Sequence, residues 1–123
     1  MQFMMIVKHA EGQGNPPKEL GEAIAKMSEE AAKAGIARGG GGLLPTALGA
    51  RIRLSKGKLT VTDGPFTEAK EVIGGYGQFE FKSKKEAVET ALAFMELHKK
   101  YWPEWVGETE VRQMMGPDDC PPS

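Results

Sequence analysis

Residues Phe3 to Val7 are apolar at every position, not at alternate ones. A strand with one face in water reads as an alternation, so an unbroken apolar run marks a strand covered on both faces. The run is too short for a signal-peptide core or a membrane span. It is therefore read as a central strand of a soluble, cytoplasmic protein, and the fold must supply two layers of cover for it.

The chain offers limited means to do so. Its 123 residues suffice for one domain and are too few for two. A domain of this size buries roughly 65% of the surface its unfolded chain exposes, enough for one modest core. Sixteen basic and seventeen acidic residues leave a net charge of −1, which gives no general attraction to nucleic acid or to an anionic membrane. The single cysteine, Cys120, has no internal partner and no metal-ligand cluster around it. It is expected to be an inert surface thiol in a reducing compartment. No motif calls for a metal or an organic cofactor.

The remaining elements follow from periodicity and punctuation. Asn15-Pro16 reads as an N-cap followed by a first-turn proline. Leu20, Ile24, Met27, Ala31 and Ala34 then recur at helical spacing up to Gly35, a left-handed stop, which predicts a helix from about Pro16 to Ala34. Ile36 to Leu44, with glycine at positions 39 to 42, is an irregular second strand. Arg51 to Ser55 alternates as a half-buried strand, Lys56-Gly57 turns the chain, and Lys58 to Thr62 returns as its hairpin partner. Thr67 to Glu71 is expected to form one helical turn. Val72 to Lys82 alternates, with Phe79 and Phe81 on one face and Tyr76, Gln78 and Glu80 on the other. Ser83-Lys84-Lys85-Glu86 is a capping box, and Ala87, Val88, Ala91, Leu92 and Met95 form the stripe of a second helix. Glu108 to Met115 closes the fold, giving a domain over 1–115 and a flexible tail over 116–123.

The order β-α-β-(hairpin)-β-α-β is the ferredoxin-like, split βαβ arrangement with a hairpin inserted before the third core strand. Its two helices cover one face of a four-stranded sheet. Cover for the second face of the first strand is assigned to a second copy of the chain, making a homodimer.

Several side chains could carry chemistry. Asp63 precedes Gly64-Pro65-Phe66. Pro65 has no N–H, so Asp63 is expected to reach Phe66 or Thr67 and cap the turn there; its functional role would be an acid, base or anchor at a pocket mouth. His9, just past the first strand, is a candidate general base. His98, late in the second helix, is placed near the last carbonyls. Arg51 and Arg53 share a strand face and suit a carboxylate or phosphate. Lys70, with Glu68, could line the same pocket, and Tyr76 and Gln78 could add hydrogen bonds. The glycine run lacks the Lys-Ser/Thr pair of a phosphate loop and the helix of a dinucleotide fingerprint, so it reads as close backbone packing or flexibility. Tyr101, Trp102 and Trp105 read as core or dimer packing.

Val61-Thr62-Asp63-Gly64-Pro65-Phe66-Thr67-Glu68 resembles the signature of the DGPF family, within the wider YCII-related group. Met1 to Lys8, Lys33 to Ile36, Gly49 to Arg53, Val72 to Tyr76 and Glu108 to Gln113 resemble other segments of that family, in the same order. The resemblance implies a ferredoxin-like subunit in a dimeric α+β barrel whose sheets pack face to face. A small anionic or aromatic ligand would then sit between or beside the sheets, near Asp63 and Arg51, for a cofactor-independent acid/base reaction. Relatives in the YCII group resemble enzymes with a His–Asp pair, one of them removing chloride from a chlorinated hydroxyaromatic; His9 does not fall on their histidine pattern. Other DGPF members lie beside genes for extracytoplasmic-function sigma factors, which implies the alternative of a regulatory or protein-interaction module.

Overall fold

The computed structural model describes residues 1–117 and 119. Cys120 and the end of the tail lie outside the described residues. Strand β1 (Gln2–His9) is followed by α1 (Lys18–Lys33), β2 (Ala37–Gly42), a single 3-10 turn (Thr46–Leu48), β3 (Ala50–Ser55), β4 (Lys58–Asp63), β5 (Val72–Glu80), α2 (Lys84–Tyr101) and β6 (Gly107–Gln113). The main sheet has the order β2-β5-β1-β6, with every neighbouring pair antiparallel, and β3 and β4 pair only with each other. This is the ferredoxin-like α+β fold, with a hairpin inserted between β2 and β5.

The first strand is central, as its apolar run requires. Phe3 and Met5 point to the helical side, are almost fully buried, and pack with Phe81 and with Ala87 and Ala91 of α2. Burial of a side chain such as Phe3 is worth about 1.5–3 kcal/mol. The inward row of α2 runs through Ala87, Ala91 and His98, whereas Val88 and Leu92 are exposed. The predicted stripe is thus rotated: small residues let the helix approach the sheet, and the branched ones beside them face out. Met4 and Ile6 point to the opposite face, in register with Gln78 and Tyr76. No helix among the described residues covers that face, and Lys8 meets Glu110 there at 2.5 Å.

Local signals hold with small shifts. Helix α1 ends in a Schellman motif: Gly35, at φ 74°, donates to Ala32 O and Ile36 to Ala31 O. Its N-cap is Pro17, with no side-chain cap, so Asn15 does not serve there. At α2, Ser83 Oγ accepts from the Glu86 N–H at 3.2 Å, and the Glu86 carboxylate reaches one residue further back, to the Lys82 N–H at 3.0 Å. Lys56 and Gly57 both take positive φ, the mirror-image turn that suits a two-residue hairpin.

Two expectations are corrected. Arg51 to Ser55 is exposed along its whole length. The alternation separates a row of apolar residues from a row of polar ones, but the hairpin stands clear of the main sheet and neither row is covered. Residues 67 to 71 form no helix, only a turn closed by Ala69 N–H to Phe66 O.

Candidate functional site

The glycines build the site. In the β2–β5 register Gly40 faces Gly77 and Gly42 faces Gly75, and Gly77 and Gly75 in turn face Met5 and Val7 of β1. These glycines therefore lie on the helical side of the sheet, where alternate strand positions would normally carry core side chains. Met5 and Val7 rise from β1 beside them and the Phe79 ring lies over Gly77, but Gly42 and Gly75 add no side chain, and α1 spans a void there. A cavity of about 680 Å³ lies between the sheet and the helices, with Gly42, Gly75 and Gly77 among its lining. Leu20, Ile24 and Met27 of α1 form its roof, and its lining is mainly apolar.

Aromatic and imidazole rings close one end. His98 is 8% exposed, and its ring packs between Phe94, at 4.8 Å between centroids, and Trp105, at 4.5 Å. Trp105 also lies 6.1 Å from Trp102 and 6.3 Å from His9. All five side chains line the cavity. The sheet makes room for them with two further glycines: a Cβ on Gly74 would overlap the His9 ring, and one on Gly107 would overlap the Trp105 ring. Gly74 sits where the β1–β5 register slips between Val7 and Lys8, a bulge that re-aims the end of the strand.

His9 is thus the last residue of β1 and not the first residue beyond it. Its Nδ1 lies 3.0 Å from Ala10 O, and His98 Nδ1 lies 3.0 Å from Phe94 O. A carbonyl oxygen can only accept, so both Nδ1 atoms carry the hydrogen, and each neutral ring keeps its lone pair on Nε2. His98 stands in the last turn of α2, as its position in the sequence suggests, and its buried ring bonds to the carbonyl of Phe94, one turn back.

The loop after β1 frames the mouth. Gln13 bridges to the α2–β6 connection, donating to Val106 O at 2.9 Å and accepting from the Val106 N–H at 2.8 Å. Glu11 binds the 3-10 turn, accepting from the Thr46 N–H at 2.9 Å and from Thr46 Oγ1 at 2.5 Å. The Thr46 hydroxyl and N–H hold the Glu11 carboxyl below the usual carboxylate range, and His9 lowers it further when its ring is protonated. Chemically, His9 Nε2 can take a proton from a bound molecule.

Most of the other residues singled out in the sequence lie elsewhere, although Tyr76 also borders the cavity through its place in β5. Asp63 ends β4 opposite Ala50 and is exposed. It does not cap the Phe66 N–H, which donates to Thr46 Oγ1 at 3.2 Å. The reason is steric: Gly64 packs so closely on Thr46 O that a Cβ would collide with it, and this brings the Phe66 N–H onto the threonine. Arg51 lies 3.8 Å over the Phe66 ring and pairs with Glu68, whose carboxyl is lowered first by its own backbone N–H and then by Arg51. Arg53, two residues on in β3, and Lys70 are exposed. Tyr76 and Gln78 face the helix-free side of the sheet. Among the described residues no three His, Cys, Asp or Glu side chains converge as a metal site would require.

Glu11 and Gln13 are not among the residues that the sequence alone singles out, Trp105 reads there as packing, and His98 is not placed beside His9. One signal points toward them: glycine at alternate positions of two strands, 40 and 42, 75 and 77, which empties one face of a sheet.

The fold and cavity together define a ferredoxin-like α+β domain with a lined space between its helices and a glycine-floored sheet. The model of the YCII-related domain matches residues 1–95, and the chain belongs to the YCII-related family. No curated protein matches it. No helix among the described residues is long and apolar enough to cross a membrane.

Proposed function

We propose that this protein binds a small, largely apolar organic molecule in the cavity between α1 and the sheet, with His9 as an acid/base group at its end. The observation that carries this reading is the glycine pattern. Glycine inside a strand weakens it, and a floor of glycines under a helix forgoes the core burial that stabilises a domain of this size. Such a floor is well suited to a guest molecule. The test is Gly42→Val, where an added Cβ would make only ordinary contact with Gly74 O, at 3.9 Å. Valine favours the strand and fills the floor. The variant should melt no lower than the wild type and bind 2-methylnaphthalene at least tenfold more weakly. Wild-type affinity in Gly42→Val would overturn the reading.

A second reading concerns partners. The hairpin carries Ile52 opposite Val61 and Leu54 opposite Leu59, all on one face and each 66–73% exposed. A two-stranded hairpin is marginal on its own in water, and an exposed apolar row favours a protein contact. A second copy of the chain is the partner we favour. The helix-free sheet face carries Met4 and Ile6 of β1, and a second copy of the chain would cover both apolar surfaces.

A further inference from the structure

We infer, building on the cavity reading, that the site selects uncharged molecules joining a flat apolar body to a hydroxyl or N–H donor, and that it rejects organic anions. Three observations converge on this class.

The first is the tautomer of both histidines. Each commits its Nδ1–H to a backbone carbonyl, so what each offers is a lone pair on Nε2. A ligand that only accepts hydrogen bonds finds no donor on either neutral ring; one that donates finds two acceptors.

The second is burial. His98 is 8% exposed, lines the cavity, and its Nε2 makes no hydrogen bond among the described residues. Among the described residues no side-chain nitrogen is both fully buried and unpaired, so this acceptor keeps access to solvent, and a donating ligand can take the place of a water there.

The third is charge. Among the described residues no lysine or arginine lines the cavity, and its one carboxylate, Glu11, stands at the mouth. An anion entering would lose its hydration with no fixed countercharge and would pass a negative group on the way. The arginines that could hold an anion, Arg51 and Arg53, lie on the hairpin. Phe94, Trp102 and Trp105 supply faces for a flat ring.

The experiment compares three probes of one carbon skeleton on the full chain at pH 8: 2-naphthol, 2-methylnaphthalene and 2-naphthoate. Binding is followed by NMR at the indole N–H signals of Trp102 and Trp105. The donor, 2-naphthol, should bind about tenfold tighter than 2-methylnaphthalene, the effect of about one net hydrogen bond, and 2-naphthoate should bind most weakly. Equal affinity of the first two, or 2-naphthoate as tight as 2-naphthol, overturns the selectivity and leaves the cavity reading standing. Absence of binding by all three overturns both. His98→Phe should diminish the advantage of 2-naphthol while 2-methylnaphthalene still binds; an undiminished advantage counts against the inference. Should that variant fail to fold, histidine-ring ¹⁵N spectra of the wild type decide. An Nε2 signal should move with 2-naphthol and stay still with 2-methylnaphthalene, and an Nε2 unmoved by 2-naphthol overturns the inference.

Discussion

The imidazole of His9 fills the space that a side chain on Gly74 would occupy. A Cβ there would overlap ring atoms Nε2 and Cδ2. The pair sits at the bulge where β1 and β5 change register, so the end of β1 has little freedom to slide away. Gly74→Ala is therefore expected to turn the imidazole out of the cavity wall. It should cost about 1–3 kcal/mol, the usual range for overfilling a packed site, and the His9 ring signals should shift in NMR. Chemical denaturation gives the first quantity. An alanine variant as stable as the wild type, with unmoved His9 signals, would mean that the imidazole is not packed against Gly74.

Gly64 makes a parallel case in the DGPF turn. Its Cα rests against Thr46 O, the Phe66 N–H binds Thr46 Oγ1, and Glu11 grips Thr46 from the other side. The turn is thereby joined to the cavity mouth through one threonine. Gly64→Ala should destabilise by about 2–3 kcal/mol. Gly21→Ala is the control: that glycine lies within α1 with open space around it, and alanine there should stabilise by about 0.5–1 kcal/mol. Thermal melts of both check the contrast, and similar effects from the two would defeat it.

These contacts explain what the sequence reveals and what it withholds. Phe3 to Val7, the Gly35 stop and the Ser83 cap are local signals, and each specifies an element without reference to distant residues. The order of those elements then leads to the ferredoxin-like sheet. The candidate site is harder, because it depends on register. Asp63 looks like a cap since the nearest free N–H in sequence is that of Phe66. Thr46, twenty residues away, competes for that donor only once the chain is folded. Gly39 to Gly42 read as packing or flexibility because a run of glycines has no evident face. Only pairing Gly42 with Gly75 shows that the empty positions share one side of the sheet. His98 and Trp105 are brought together by the end of α2 and the start of β6, a junction that helical spacing cannot disclose.

Self-association gives a third prediction. Cross-strand pairs such as Leu54 and Leu59 normally stabilise a sheet by packing under a second layer, and here no such layer is found among the described residues. The wild type should sediment as a dimer at micromolar concentration. Replacing Leu54 and Leu59 with threonine keeps the strand preference while removing apolar surface, and should shift the population toward monomer. A monomeric wild type would remove the second copy from the proposal, as would a double variant that remains dimeric through another surface.

The last prediction concerns pH and rests on Glu11. Its carboxylate accepts two hydrogen bonds from Thr46, and these, with His9 when its ring is protonated, hold its folded-state pKa below the ordinary value, which is about 4.3 for a free glutamate. A group depressed in this way contributes stability that is fully present above the ordinary value and is lost as pH falls through the lower, folded value. Glu11→Gln keeps an acceptor for Thr46 but removes both the charge and the titration. The wild type should therefore melt higher than Glu11→Gln at neutral pH, and the gap should narrow as pH falls from about 5 to about 3. Because Glu11 stands in solvent at the mouth, added salt should shrink the part of the gap due to His9 and spare the part due to the Thr46 hydrogen bonds. A series of melts across that pH range, at low and high salt, tests both points. A gap that stays constant with pH would mean that Thr46 holds the glutamine as well as the carboxylate, and the ionic contribution of Glu11 to closing the mouth would have to be abandoned.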